Sequence, residues 1–173
     1  MGFANAAVFP ATTINVTPPS DFQEFYSRYS EAVLRTALRV TGNMEDAEDV
    51  LQSVFLKLLD NRISLDPVLA PEGYLRRSAT NAAIDLLRRK AFLAETEIDE
   101  SRNYGGKEST ALLKLRMRRA LGKLPAEDAE LFVLCYLEGY TYDELAAQYK
   151  LERGTVASRL HRIKSALQKS LSR

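Results

Sequence analysis

The side chains best placed to do chemistry lie near the end of the chain, in "ERGTVASRLHRIKSAL" at 152–167. Wound at 3.6 residues per turn, Val156, Leu160, Ile163 and Leu167 make one apolar stripe, and Ser158, His161, Arg162 and Ser165 fall on the opposite side. Thr155 stands at the entry, with Arg159 and Lys164 on the flanks. Hydroxyl, imidazole and guanidinium groups on one face are donors that read base edges and hold phosphates, so the chemistry indicated is recognition. A solvated surface helix would carry the same pattern, and what precedes the segment decides between the two readings.

Thr141 and Glu144 have capping-box spacing, which makes "TYDELAAQY" a short helix. "KLERG" is too short to be anything but a turn, and the longer basic helix follows, as in a helix-turn-helix whose second helix enters the major groove. Charge is segregated accordingly. The whole chain is nearly neutral at +1, but 150–173 holds seven Lys/Arg, Arg153 among them, against the single acid Glu152. Over 125–149 there are six acids and no Lys or Arg, so one end attracts phosphate and the other avoids it.

The elements that must position these groups are helical throughout, with no period-two strand pattern of useful length. Ser20 with Gln23 predicts a cap for a first helix running to about Val40 and stopped by Gly42. Asn43 is the expected cap of a second helix that buries Ala47, Leu51, Val54 and Leu58. After the loop "NRISLDPVLAPE" comes "GYLRRSATNAAIDLLRRK", with Leu75, Ala79, Ala82 and Leu86 as its core stripe and Arg76, Arg77, Arg88, Arg89 and Lys90 presented elsewhere. A helix through Leu124, a restart at Pro125 and a stop at Gly139 lead into the helix-turn-helix. The predicted fold is all-α, two small helical domains joined by a flexible linker. The boundaries are a mobile tail at 1–19, a first domain at 20–92, a linker at 93–109 and a second domain at 110–173.

Several function classes find no support. Cys135 is the single cysteine and sits in the apolar run "LFVLCYL", so it reads as a core thiol. His161 is the single histidine, too little for a zinc site, and no metal or cofactor is expected. "GGK" at 105–107 has Ser101 where a phosphate-binding loop needs Gly and Glu108 where it needs Ser or Thr. No constellation sets a nucleophile beside a base, so an enzyme is not expected. No apolar run approaches a membrane span and no signal peptide is evident, so a soluble cytoplasmic protein is expected. The acids Glu45, Asp46, Glu48 and Asp49 beside Gln52 offer a protein-facing surface, although they would equally suit the start of a solvated helix. One acidic surface and two basic ones suggest an adaptor between a large protein machine and two stretches of DNA.

"AEDVLQSVFLKLL", "YLRRSATNAAIDLLRRK" and "LPAEDAELFVLCYLEGYTYDELAAQYKLERGTVASRLHRIKSAL" closely resemble, in order and spacing, regions 2 and 4 of bacterial sigma factors of the extracytoplasmic-function group, over 21–171. The resemblance implies a dissociable initiation subunit that binds core RNA polymerase and promoter DNA, with an anti-sigma factor as a further partner. Asp49 and Gln52, with Asp46 in the same acidic patch, correspond to the surface that meets the polymerase clamp helices. The loop at 61–72 and the helix after it match the part that captures the minus-10 strand. Tyr74 stands where the family commonly has Trp, Arg77 and Asn81 fit its pattern, Arg88 and Arg89 suit that strand's phosphates, and Arg76 belongs to the same minus-10 set. In region 4, Ser158, His161 and Arg162 match the positions reading the duplex minus-35 element, Thr155 and Arg159 would hold phosphate, and Arg153 belongs to the same minus-35 set.

Departures from the family pattern are local. Ala157 and Thr80 replace common cations, Lys150 replaces the usual turn Gly and so calls for positive φ, and Glu152 replaces the usual capping Ser. Two other readings stay open from the residues alone. A stand-alone helix-turn-helix regulator accounts for 141–170 only, and a sigma-like decoy would occupy polymerase without initiating.

Overall fold

The structure, a computed structural model, describes residues 20–60, 71–96 and 110–172. They form seven helices: α1 Ser20–Thr41, α2 Met44–Leu59, α3 Pro71–Thr96, α4 Thr110–Lys123, α5 Ala126–Tyr136, α6 Tyr142–Tyr149 and α7 Arg153–Leu171. No strand occurs among the described residues. The tail at 1–19, the loop at 61–70 and the stretch at 97–109, which holds most of the expected linker and the "GGK", lie outside them, and residues 93–96 continue α3.

Local chemistry sets the helix ends. Gly42 takes φ 76° and its N–H donates to Leu38 at 2.8 Å, closing α1 with a left-handed residue that costs glycine little. Asn43 is extended, and its Oδ1 accepts from the Asp46 N–H at 2.8 Å, which caps α2 as expected. Ser20 is already the first helical residue of α1, so the predicted cap position falls one residue inside the helix.

α1, α2 and α3 pack on one another around Val33, Ala37, Val40, Val54, Leu58, Leu75 and Ala79. Each large aliphatic side chain buried there contributes about 1.5–3 kcal/mol relative to an exposed one. α2 buries the four expected residues and also Val50 and Phe55, with the Phe55 ring 4.7 Å from that of Tyr26 and 6.1 Å from that of Phe22. The stripe predicted for α3 is partly wrong. Leu75 and Ala79 are buried, but Ala82 and Leu86 are half-buried, and Thr80, Ala83, Ile84, Leu87 and Ala91 are the inward residues. The reason is that α3 is covered twice, by α1 and α2 on one side and by α4 and α5 on another, so its buried surface is broader than a single stripe.

The second covering is close. A β-carbon at Gly122 would lie 2.7 Å from the Leu87 carbonyl oxygen, so glycine lets α4 lie directly on the α3 backbone. Arg118 reaches from α4 over Gly42 and donates to the Val40 carbonyl at 3.3 Å. α5, α6 and α7 complete the second half around Leu131, Leu134, Leu145, Val156, Leu160, Ile163 and Leu167.

Candidate nucleic-acid and polymerase interfaces

The turn before α7 is built as the residue types demand. Thr141 Oγ1 accepts from the Glu144 N–H at 3.2 Å, and Glu144 Oε2 accepts from the Thr141 N–H at 2.8 Å, forming the predicted capping box. These bonds from Thr141 hold the Glu144 carboxyl below its ordinary range. Lys150 ends α6 at φ 52°, ψ 44°, the left-handed conformation its position calls for, and the Leu151 N–H donates to Ala146 at 2.9 Å. Glu152 is the N-cap of α7 but accepts no bond through its carboxylate, so its side chain does not replace the capping Ser.

Val156, Leu160, Ile163 and Leu167 are all buried, and this fixes what α7 shows to solvent. Thr155, Ser158, His161 and Arg162 are exposed, with Ser158 Oγ donating to the Thr155 carbonyl at 3.0 Å. His161 and Arg162 have no ion-pair partner among the described residues. Arg153 is exposed and 3.2 Å from Asp143. Arg159 is drawn inward to α5, donating to Asp128 at 2.6 Å and Glu127 at 3.0 Å. Burial opposes its charge, but the two acids outweigh it and raise the guanidinium above its ordinary pKa.

The α3 residues divide into two groups. Asn81, Arg88 and Arg89 are exposed, Arg88 lying 4.0 Å from Asp85. Tyr74 is half-buried, and burial pushes its phenol up despite a bond with Ser78 and the nearby Arg77 charge. Arg76 lies 2.7 Å from Glu72 and 3.4 Å from Glu138, while Arg77 Nε donates to Glu130 at 2.5 Å. The Arg77 guanidinium also stacks 5.0 Å from the centroid of the Tyr149 ring. Thr80 is fully buried, so no contact with a partner is open to it here.

On α2, Asp49 and Gln52 are exposed, as are Glu45 and Glu48. Asp46 is not: it is buried, with its carboxylate 2.6 Å from Lys90 Nζ and 2.6 Å from Asn43 Nδ2. Burial disfavours its charge, yet Lys90 and Asn43 prevail and lower its pKa. Its role is to tie α2 to α3, and presenting it to a partner would break that tie. The sequence missed Leu56 and Leu59, exposed at 60% and 46%, which continue the line of Asp49 and Gln52 by helical steps. It also missed Glu130 and Glu138 as partners of Arg77 and Arg76. The acidic run at 125–149 was their signal, although it reads first as phosphate avoidance. Cys135 is half-buried with its thiol pushed up by burial. No cluster of three or more metal-ligating side chains exists among the described residues.

A helix-turn-helix beside a helical domain with an acidic, partly apolar face defines a DNA-recognition subunit built to act with a larger protein. The comparisons agree: Sigma-70 region 2 matches residues 25–92, and Sigma-70 region 4 matches residues 114–167. The chain is 31% identical over 175 residues to the ECF RNA polymerase sigma factor SigE of Mycolicibacterium smegmatis, covering 96% of this chain and 67% of that one. It is 26% identical to the ECF RNA polymerase sigma factor SigW of Bacillus subtilis, covering 87% and 88% of the two. In fold it is similar to CnrH, solved in complex with the cytosolic domain of CnrY, with TM-score 0.50, 24% identity and 88% of each chain covered. The chain belongs to the extracytoplasmic-function sigma factors and directs core RNA polymerase to promoters.

Proposed function

We propose that α7 reads the duplex minus-35 element through Ser158, His161 and Arg162, with Arg153 and Thr155 on phosphates and Arg159 joining them once released from α5. The observation that carries this reading is the polar, cationic face of α7 opposite four buried apolar residues. Tyr74, Arg76, Arg77, Asn81, Arg88 and Arg89 of α3 take the opened minus-10 strand, the tyrosine by stacking or packing and the arginines through phosphate. Asp49 and Gln52, with Leu56 beside them, meet the polymerase. A carboxylate and an amide next to an apolar side chain suit a basic partner helix. The domains follow the regions, at 20–92 and 110–173. The chain supplies recognition and strand capture, and the polymerase supplies the chemistry of RNA synthesis.

An anti-sigma factor is the further partner proposed. An apolar groove of about 730 Å³ between α1, α4, α5 and α7, lined by Leu38, Met117, Phe132 and Tyr136 and edged by Lys114 and Lys164, suits an acidic amphipathic helix. No described helix is long and apolar enough to cross a membrane, and a cytoplasmic location follows from the proposed work with polymerase.

The test is transcription by sigma-free core polymerase on genomic DNA with the chain added. Discrete starts sharing two upstream elements are expected. Polymerase binding without starts would favour the decoy, and tight duplex binding without polymerase would favour a stand-alone regulator.

A further inference from the structure

An open cleft of about 990 Å³ lies where α2, α3 and α4 meet, at the upper end of the size range of small-molecule sites. Lys57 of α2, Arg88 and Arg89 of α3 and Lys123 of α4 line it. Asp85 is the one acid in the lining, and it lies 4.0 Å from Arg88. Four cations thus share one hollow with a single acid, in a chain whose net charge is only +1. Small residues keep the hollow open. Ala82 and Ala91 line it beside Gly122, whose missing side chain lets α4 lie on the α3 backbone at Leu87. Phe92 lines it too, and 68% of that residue is exposed.

The placement of these groups selects the ligand. Guanidinium groups grip phosphate oxygens in pairs, and ammonium groups act on them as point charges. Because the four cations come from three helices, a chain of several phosphates meets more of them than one phosphate ion can. An exposed aromatic ring beside them offers a platform on which a nucleobase stacks. We propose that this cleft binds a nucleoside triphosphate, with the phosphates on Lys57, Arg88, Arg89 and Lys123 and the base against Phe92. Lys57, Phe92 and Lys123 belong to none of the promoter or polymerase contacts proposed above, so the site is more than a part of the strand-binding face. Arg88 and Arg89 are shared with that face, and a bound nucleotide therefore competes with the opened strand. Only this competition rests on the reading of the two arginines as strand contacts.

The test is fluorescence anisotropy of mant-ATP with the full chain, displaced by unlabelled ATP, tripolyphosphate or inorganic phosphate. Saturable binding is expected, with ATP the best competitor, tripolyphosphate next and phosphate the weakest. Lys57→Ala and Lys123→Ala should each weaken binding about tenfold, the worth of one hydrogen bond to a charged group. Lys169→Ala removes the same charge from an exposed site on α7, outside the cleft, and should leave binding unchanged. Phe92→Ala should weaken ATP about fivefold or more and leave tripolyphosphate unaffected. Binding that does not saturate would overturn the proposal, as would phosphate competing as well as ATP. A loss in Lys169→Ala equal to that in the cleft variants would also overturn it, by showing diffuse charge attraction. So would a Phe92→Ala chain that binds ATP as tightly as the wild type. Displacement of a fluorescein-labelled oligothymidylate by ATP reads the competition. If ATP binds as expected but displaces no strand, the cleft stands and the strand reading of Arg88 and Arg89 fails. If the strand depends on Lys57 and Lys123 while mant-ATP does not bind, the cleft is part of the strand's path and the proposal fails.

Discussion

The cations of α7 and those of α3 are both set out by helices with buried apolar residues behind them, but their surroundings differ. His161 and Arg162 stand on a face that nothing in the described chain covers, whereas Arg76 and Arg77 are bound to Glu138 and Glu130 from the opposite half. α7 has one protein-facing side and is an outer helix of its domain, so sequence periodicity separates its core from its surface. α3 is buried on two sides, and a cation at its start is within reach of acids more than fifty residues away. The polar face of α7 is thus open to solvent, while two cations at the start of α3 are paired with acids of the opposite half.

The strongest way to break the comparison is to remove the support of one face alone. Leu160→Ala, at a site only 1% exposed, is expected to destabilise the fold by about 2–5 kcal/mol. Thermal melting reads this, and minus-35 binding should fall with it. Gly122→Ala acts on the other side by forcing α4 away from the Leu87 backbone, at a cost of about 1–3 kcal/mol. Melting again measures it, with scattering to show whether the halves move apart.

Smaller changes sharpen the contrast. Arg162→Ala is expected to cost about 1–3 kcal/mol of discrimination at one base pair of the upstream element and to leave the fold intact, as read by transcription from a promoter library. Lys150→Gly relieves a left-handed residue at φ 52° and should stabilise the chain by up to about 1 kcal/mol in chemical denaturation. The smallest effect belongs to Asp46→Asn. The folded pKa of Asp46 lies below its ordinary value of 3.8, so its pairing contributes stability above that value and loses it as pH falls through the lower folded value. The wild-type advantage over the Asn variant, about 1 kcal/mol or less because Lys90 is half-exposed, should be present at neutral pH and vanish in acid melts.

Much of what depended on neighbours within a few residues was legible in the sequence, although the Ser20 cap fell one residue inside α1. The Thr141–Glu144 box, the Asn43 cap and the α7 stripe all follow from local hydrogen bonding and the helical period, and the left-handed Lys150 follows from the resemblance, which puts Gly at that turn position. Asp46 was misread because its acidic neighbours suggested a solvated patch, and the pair that buries it comes from Lys90 on another helix. Ala82 and Leu86 were misplaced because one period cannot describe a helix packed on two sides. Leu56 and Leu59 were missed because an exposed leucine looks like a core leucine until the packing is known. Glu130 and Glu138 join residues far apart in the chain, and the acidic composition of 125–149 signals acids without saying which arginines they meet.

The most direct test of the account is to sequence the 5′ ends of transcripts made by core polymerase on genomic DNA with the wild-type chain and with Arg162→Ala in parallel. Discrete wild-type starts that share two upstream elements are expected, with variant starts that lose base preference at one position of the farther element while keeping the nearer one. Starts no more frequent than with core polymerase alone, or a variant whose losses are uniform and leave the preference unchanged, would contradict it.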